Sequence, residues 1–330
     1  MSQTMNALLA HAGRSPQGTF TTERVPVPEL RARDVLVRVK AVSVNPVDTK
    51  VLKRLPEGAS QTLGYDAAGI VEAVGRDVSG FAIGDEVYYA GDVTRPGTNS
   101  EFHAVDARIV AHKPSTLGWA EAAALPLTTI TAWESLFDHL RLTADSTGTL
   151  LIVGGAGGVG SIMIQLAKAL TGVTVIATAS REESRAWVLA QGADHAVGHR
   201  DLVDEVAPLA PGGVNWIYSS YTPGNLDAYA TLLQPFGRIV AVDDDPGPII
   251  GLKAKSLSFH WEYMFARIIN DAPDAGEQGR LLAAVADLVD HRRLRTTLTT
   301  TLSGLNPTTL RAAHDLVASG GTIGKTALTL

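Results

Sequence analysis

Residues 149–170, TLLIVGGAGGVGSIMIQLAKAL, constrain this chain more than any other stretch. Leu150, Leu151, Ile152 and Val153 make a branched apolar run with the length of a strand buried on both faces. Ile162, Ile164, Leu166 and Leu170 then continue at mainly helical spacing. Between the two lies a full GxGxxG, Gly155, Gly157 and Gly160. Glycine lets such a turn fold tightly, lets the backbone approach a pyrophosphate, and lets the helix pack on its strand. The helix N-terminus, from Gly158 and Val159, supplies oriented N–H groups to phosphates. A glycine turn alone also occurs as a plain loop. Here it stands in strand-turn-helix context with a second apolar strand at 173–177, which selects dinucleotide binding.

A chain of 330 residues is long for one core, so two domains are expected. With 45% hydrophobic and 19% charged residues, it reads as an ordinary globular protein rather than a disordered one. A net charge of -6 gives no reason to expect a nucleic acid or an anionic membrane as partner. No apolar run reaches the length of a membrane span, and the start, MSQTMNALLAHAG, lacks the basic and apolar regions of a signal peptide. A cytoplasmic protein is expected. The absence of cysteine excludes disulfides, thiol catalysis and cysteine-ligated zinc.

Along residues 5–105 short β segments alternate with turns. Residues 34–42 alternate as a half-buried strand, 69–74 and 86–89 offer more, and Gly64, Gly69, Gly75, Gly80 and Gly84 recur between them. A compact β-rich unit, such as a partly open barrel, is expected. The polar loop 92–100 could border a substrate cleft or be plain surface. Helical pattern starts near Ala120, is interrupted by Pro126, and resumes through Thr131 and Phe137. From 150 to about 260 strands and helices alternate: 173–177, 182–191, 195–197, 202–209, 214–218, 226–234, 238–242 and 257–260. That succession predicts a doubly wound parallel sheet of about six strands. The remaining helix-strand-helix-strand tail, 281–289, 295–302, 308–318 and 325–330, is too small for a third domain and should pack back on the first unit. The expected division is therefore 1–127 and 266–330 for a β-rich catalytic domain, with 128–265 inserted as the nucleotide domain.

With these motifs placed, the chain resembles the medium-chain dehydrogenase/reductase superfamily, and within it the zinc-independent quinone oxidoreductase branch. The carriers run over nearly the whole length: VSVNPVDTK (42–50), LGYDAAGIVEAVG (63–75), GDEV (84–87), ALPLTTITAWESL (124–136), GGAGGVG (154–160), GAD (192–194) and the closing GKTALTL. The resemblance implies a GroES-like catalytic domain joined to a Rossmann domain, a homodimer, and a reductase using NADPH on quinones or α,β-unsaturated carbonyls. The zinc-using alcohol dehydrogenases of the superfamily carry a cysteine ligand near Ser43 and GHE where this chain has Gly64, Tyr65 and Asp66. Both ligands are missing, so no metal is expected.

An enzyme for NAD places a carboxylate about 20 residues past the glycines, where it would repel a 2′-phosphate. Here Ser180 and Arg181 stand in that place, inside ATASREESR, and both can donate to a phosphate, so NADPH is expected. The alternative is that Arg181 and Arg185 form a solvated helix face paired with Glu182 and Glu183. His199 could stack on or bond to the nucleotide end, or be a surface histidine. The nicotinamide should lie beyond the strand ends, so Ser219 and Tyr221 after one strand, and Val242 and Asp243 after the next, are candidate carboxamide contacts. By resemblance, Thr131 sits beside the ring and Lys325 could approach the cofactor phosphates.

Hydride transfer to an enone or quinone leaves negative charge on oxygen, which needs donors. Asn45 and Tyr65 match positions lining the family's cleft, Lys50 and Tyr89 are further candidates, and Asp48 and Asp66 could orient them. Alternatives are an alcohol or aldehyde oxidoreductase of the same superfamily, or a non-catalytic NADPH-binding protein.

Overall fold

The computed structural model describes residues 3–13 and 19–330 of the chain, which divide into two compact units. One comprises Met1–Leu127 with Phe265–Leu330, and the other Thr128–Met264. The second crossing falls one residue before the expected end of the inserted domain.

The chain opens with β1 (Thr4–His11), β2 (Phe20–Pro26), β3 (Asp34–Val44), α1 (Pro46–Arg54), β4 (Ser60–Thr62), β5 (Ala67–Val74), β6 (Glu86–Tyr89), β7 (Phe102–Asp106) and β8 (Val110–His112). Strand β1 lies between β2 and β4, antiparallel to both. Strand β3 is the spine of the larger sheet. Its residues Val35, Val37, Val39, Ala41 and Val42 are at most 3% exposed, because it pairs with β5 and β7 and packs its branched side chains into the core. Two short helices follow, α2 (Trp119–Ala123) and α3 (Pro126–Trp133), separated at Ala124 and Leu125 because Pro126 has no N–H to continue a helix and suits a first turn instead. The chain passes from the first unit to the second within α3 and continues as a π-helical stretch, Glu134–His139.

The second unit has β9 (Thr149–Val153), α4 (Gly158–Leu170), β10 (Thr174–Thr178), α5 (Glu182–Gln191), β11 (His195–Val197), α6 (Leu202–Val206), β12 (Val214–Ser219), α7 (Leu226–Leu232), β13 (Leu233–Ala241) and β14 (Ser258–Trp261). The six strands are all parallel, in the order β11-β10-β9-β12-β13-β14. This is a doubly wound Rossmann sheet whose strand order reverses beside β9, so the glycine turn after β9 sits where such sheets bind ligands. Several boundaries shift from expectation, two of them in ways that matter to the sheet. Helix α6 stops at Val206, short of Leu209. Strand β13 begins at Leu233, because the chain turns directly out of α7 and runs extended through Pro235, with Phe236 at a positive φ of 64°. The register between β12 and β13 shifts there, so the segment bulges.

The chain then returns to the first unit through α8 (Ala266–Ile269), α9 (Glu277–Asp290), β15 (Leu298–Ser303), α10 (Pro307–Ala318) and β16 (Lys325–Thr329). Strand β16 pairs antiparallel with β3 and parallel with β15, giving the sheet order β15-β16-β3-β5-β6-β8, with β7 also on β3. The tail thus completes the β-rich unit.

Candidate functional site

Two sites emerge, one in each unit. In the nucleotide unit the turn 154–160 is built by close approaches. A Cβ on Gly155 would stand 2.8 Å from the Ala177 side chain, and one on Gly160 would stand 2.4 Å from the Gly154 carbonyl oxygen. Gly154 N and Gly155 N donate to Thr178 Oγ1 and O at 2.9 and 3.1 Å, which ties the turn to the end of β10. Gly157 differs: a Cβ there would meet only the Gly154 oxygen, at the ordinary distance of 3.6 Å. Protein packing therefore does not demand glycine at 157. A side chain would instead project over the opening of α4, whose first N–H groups at Gly158, Val159 and Gly160 have no partner within the helix. That bare N-terminus fits a pyrophosphate.

The remaining nucleotide candidates lie along the same strand-end edge, because parallel strands present all their carboxyl ends together. Ser180 and Arg181 follow β10, both exposed, and no carboxylate takes the place expected for one in an NAD enzyme. Arg181 serves as N-cap of α5, its N–H bonding Ser184 Oγ at 3.1 Å. Ser184 is occupied with this cap. Arg185 donates to the Ala196 carbonyl and pairs with Glu205, so the expected pairing of this face with Glu182 and Glu183 gives way to contacts across to β11 and α6 for Arg185. His199 is exposed just after β11.

At the ends of β12 and β13 the structure corrects part of the expectation. Val242 N–H donates to the Ser219 carbonyl at 3.2 Å, so this N–H is already bonded within the protein. The Ser219 hydroxyl is fully buried among Tyr229 Oη, Thr222 Oγ1 and Tyr221 N. It fixes the loop. Tyr221 is 65% exposed, its ring outside that network. Asp243 accepts from Thr222 N through Oδ2, while its Oδ1 is buried with no hydrogen-bond donor, an acceptor that a carboxamide N–H would satisfy. Thr131, on α3, is 6% exposed. Within this unit the residues present fit a nicotinamide dinucleotide.

The second site lies in the β-rich unit and centres on Asp66, the residue before β5. Its Oδ2 accepts from Ser43 Oγ at 2.6 Å and Asn45 Nδ2 at 2.7 Å, and its Oδ1 accepts from Leu127 N at 2.8 Å. The Lys325 ammonium stands 3.5 Å from Oδ2 and donates to the Val44 carbonyl at 3.0 Å and to Asn45 Oδ1. Asp48 joins through Oδ2, which accepts from Asn45 N at 2.8 Å and caps α1. Ser43, Asn45, Asp48 and Asp66 are at most 1% exposed and Lys325 is 4% exposed. Burial pushes the Asp48 carboxyl up to about 7, and it pushes Asp66 upward against the pull of Lys325, Asn45, Ser43 and Leu127. Burial likewise lowers Lys325, against the attraction of Asp66 and Asp48.

This centre revises the assignments for the first unit. Lys325, expected to approach the cofactor phosphates, is instead enclosed and bonded within its own unit. Asn45 has no exposed surface and its amide is held by Asp66 and Lys325. Tyr65 also has none, and its ring packs edge-on against Phe265 at 5.5 Å. Neither reaches the solvent-facing surface that a donor needs to meet a substrate directly. Lys50, on α1, is only half-buried. Tyr89 is buried, stacked on His103 and bonded to its Nδ1 at 3.1 Å, so it too is internal. Sequence reasoning named Asp48 and Asp66 only as orienting groups and did not foresee that Leu127 and Lys325 join them. Asp66 and Lys325 lie 259 residues apart, and no local pattern signals such a contact.

The donor set does not fit zinc. Among the described residues no group of three or more His, Cys, Asp or Glu side chains is arranged to hold a metal ion. Of the two carboxylates at this centre, Asp66 already accepts through both oxygens with a lysine ammonium facing it, and Asp48 accepts from the Asn45 backbone N–H.

Residues 31–130 match the family model for the alcohol dehydrogenase GroES-like domain, and 158–260 that for zinc-binding dehydrogenases. A zinc-type alcohol dehydrogenase-like protein of Staphylococcus aureus is 40% identical over 315 residues, 92% of each chain. A crystal structure from Rhizobium etli, named as a candidate zinc-dependent alcohol dehydrogenase, is 48% identical with a TM-score of 0.96, covering 100% of this chain and 99% of that one. An NADPH-dependent alkenal/one oxidoreductase of Arabidopsis thaliana is 33% identical over 228 residues, 66% of this chain and 56% of its own length. With its GroES-like β-rich unit and its six-stranded Rossmann unit, the chain belongs to the medium-chain dehydrogenase/reductase superfamily of oxidoreductases.

Proposed function

We propose that this oxidoreductase is an NADPH-dependent reductase that passes hydride to quinones or α,β-unsaturated carbonyls without a metal. The observation that carries the reading is the Asp66 centre. The carboxylate there accepts from Ser43, Asn45 and Leu127 beside a lysine ammonium, and the donor set offers no Lewis acid to polarise an isolated carbonyl. An acceptor activated by its own conjugation needs no such Lewis acid. The similarity to the Arabidopsis relative, an NADPH-dependent alkenal/one oxidoreductase, supports the same class.

NADPH, when bound, supplies the hydride. The open mouth at Gly157 and the first turn of α4 would hold its pyrophosphate, Ser180 and Arg181 its 2′-phosphate, and Asp243 its carboxamide. An enone gains hydride at its β-carbon and a proton at the α-carbon, giving the saturated carbonyl. A quinone gains one hydride and one proton, giving the hydroquinone. A delocalised enolate or hydroquinone anion is stable enough to take its proton from water, and Lys50 is the candidate side chain with exposed surface to assist it. Positioning of the donor is then the main catalytic contribution. A homodimer is part of the proposal by family resemblance, to be checked by light scattering.

The test mixes purified protein with NADPH and 9,10-phenanthrenequinone, then a 2-enone, then a simple aldehyde. NADPH oxidation with the first two and not the third is expected. Turnover of the aldehyde would favour the alcohol/aldehyde reading, and measurable NADPH binding with no oxidation by any acceptor would make the chain a binding protein.

A further inference from the structure

Three ionisable side chains, Asp48, Asp66 and Lys325, are buried together in the β-rich unit. Removing charges from water is expensive, and buried ion pairs often stabilise no better than apolar side chains of the same volume. Stability alone is thus a poor reason for the arrangement. Its geometry offers a better one. Three segments distant in sequence converge on a single carboxylate: Ser43 and Asn45 at the end of the long strand β3, Leu127 in α3, and Lys325 at the start of β16.

The Asn45 amide is fixed in one orientation by this pair. Its oxygen faces the Lys325 ammonium and its nitrogen faces the Asp66 carboxylate. A flipped amide would set N–H against ammonium and oxygen against carboxylate, so the network itself assigns the atoms. Asn45 in turn is the N-cap of α1, with Asp48 accepting from its backbone N–H, and α1 carries Lys50. On the other side, Asp66 Oδ1 holds the N–H of Leu127 in the opening turn of α3, and Thr131 lies one turn further along that helix.

We propose that Asp66 and Lys325 are positioning residues: their buried ion pair fixes the starts of α1 and α3, and thereby Lys50 on α1 and Thr131 on α3. The kinetic part rests on the reductase reading above. The structural part does not. Lysine is needed because only a cation satisfies Asn45 Oδ1 and offsets Asp66 together. Aspartate is needed because its two oxygens accept from Ser43, Asn45 and Leu127 at once, whereas an amide has one accepting oxygen.

The experiment compares wild type, Lys325→Met, Lys325→Arg and the double variant Asp66→Asn/Lys325→Met. Hydrogen-deuterium exchange is followed in peptides covering 44–51 and 126–131, together with steady-state kinetics on NADPH and 9,10-phenanthrenequinone. Lys325→Met is expected to quicken exchange in both peptides while the rest of the β-rich unit keeps its protection. It should lower kcat by about tenfold to a hundredfold and leave KM for NADPH within about threefold, the pattern of misplaced groups rather than lost cofactor binding. Lys325→Arg keeps the cation and should restore both readings. The double variant removes both charges; should Lys325→Met fail to fold, it carries the test, with the same local exchange and low kcat expected. Wild-type exchange in the two peptides of a charge-removing variant overturns the proposal. Uniform loss of protection across the whole unit, unrelieved by Lys325→Arg, overturns it too, by reducing the pair to general stability. If wild type turns over no quinone or enone, the reductase reading falls, and the exchange arm still decides the positioning of α1 and α3.

Discussion

The two sites are built by opposite means. The glycine turn of the nucleotide unit is made of backbone: it works because side chains are absent, and its seven residues, 154–160, are contiguous. The Asp66 centre of the β-rich unit is made of side chains gathered from residues 43, 45, 48, 66 and 325, with one backbone N–H from 127. A backbone site tolerates almost no added atom, whereas a side-chain site tolerates changes of size better than changes of charge. The contrast can be tested from each side.

The strongest expected effect is Gly160→Ala. The added Cβ would lie 2.4 Å from the Gly154 carbonyl oxygen and 2.7 Å from the Gly155 backbone, with no flexible side chain to yield. A loss on the order of 5 kcal/mol, or failure of the nucleotide unit to fold, is expected in urea denaturation. A variant within 1 kcal/mol of wild type, again as an order of magnitude, would show that the turn is less tightly built than these distances state.

Next comes charge in the side-chain site. Asp48 lies near Lys325 and Asp66 and accepts from the Asn45 backbone N–H, and burial raises its folded value from 3.8 to about 7. Between those values the folded state holds a proton that the unfolded state has released, so this group makes stability fall as pH rises from about 4 to about 7. The buried His103 and His314 act in the opposite sense. Burial lowers each to about 4, so acidification through the ordinary histidine range favours the unfolded chain. The difference between Asp48→Asn and wild type isolates Asp48. It should grow in favour of the variant from about pH 4 to about pH 7, by at most about 4 kcal/mol, and then level off. A difference curve flat in pH would remove Asp48 from the charge centre.

Legibility follows the same division. The parallel sheet, the glycine turn and the return of the tail were readable because each rests on local periodicity or on contiguous residues. Strand β13 was expected to begin only at 238, after a helix to 234, although the strand starts at Leu233 and carries a register shift there, with Phe236 at a positive φ. Asn45 and Tyr65 were read as donors from their chemistry and from their match to family positions lining the cleft. Periodicity cannot tell a polar residue that faces a substrate from one that satisfies a buried carboxylate, and the deciding partner, Lys325, comes 280 residues after Asn45. Ser219 and Val242 show a related effect: a strand end exposes backbone groups only where the next loop does not bond them first, and here the Val242 N–H donates to the Ser219 carbonyl.

Gly157→Ala separates fold from ligand within the backbone site. Its Cβ meets only one oxygen at 3.6 Å, so the melting temperature should move little. The methyl would nonetheless stand over the first turn of α4, and NADPH affinity should fall by about tenfold to thirtyfold, read by fluorescence titration. Should stability drop while affinity holds, the roles assigned to Gly157 and Gly160 would have to be exchanged.

The smallest expected effect concerns which dinucleotide the backbone site holds. Arg181 caps α5 through its own backbone, and its side chain is exposed after β10, so Arg181→Ala removes the guanidinium without removing the bond from its N–H to Ser184. The cradle that binds pyrophosphate is common to NADPH and NADH, so affinity for NADH should stay near wild type. A charge-assisted contact to the 2′-phosphate is worth about 1.5 kcal/mol, which predicts that the preference for NADPH shrinks by about tenfold. Because the contact is exposed, the effect should fade as salt rises. An unchanged ratio of the two affinities at low salt would mean that Ser180 and the loop after β11, with His199, make the distinction instead, and selectivity would then be a property of the strand-end edge as a whole rather than of one side chain.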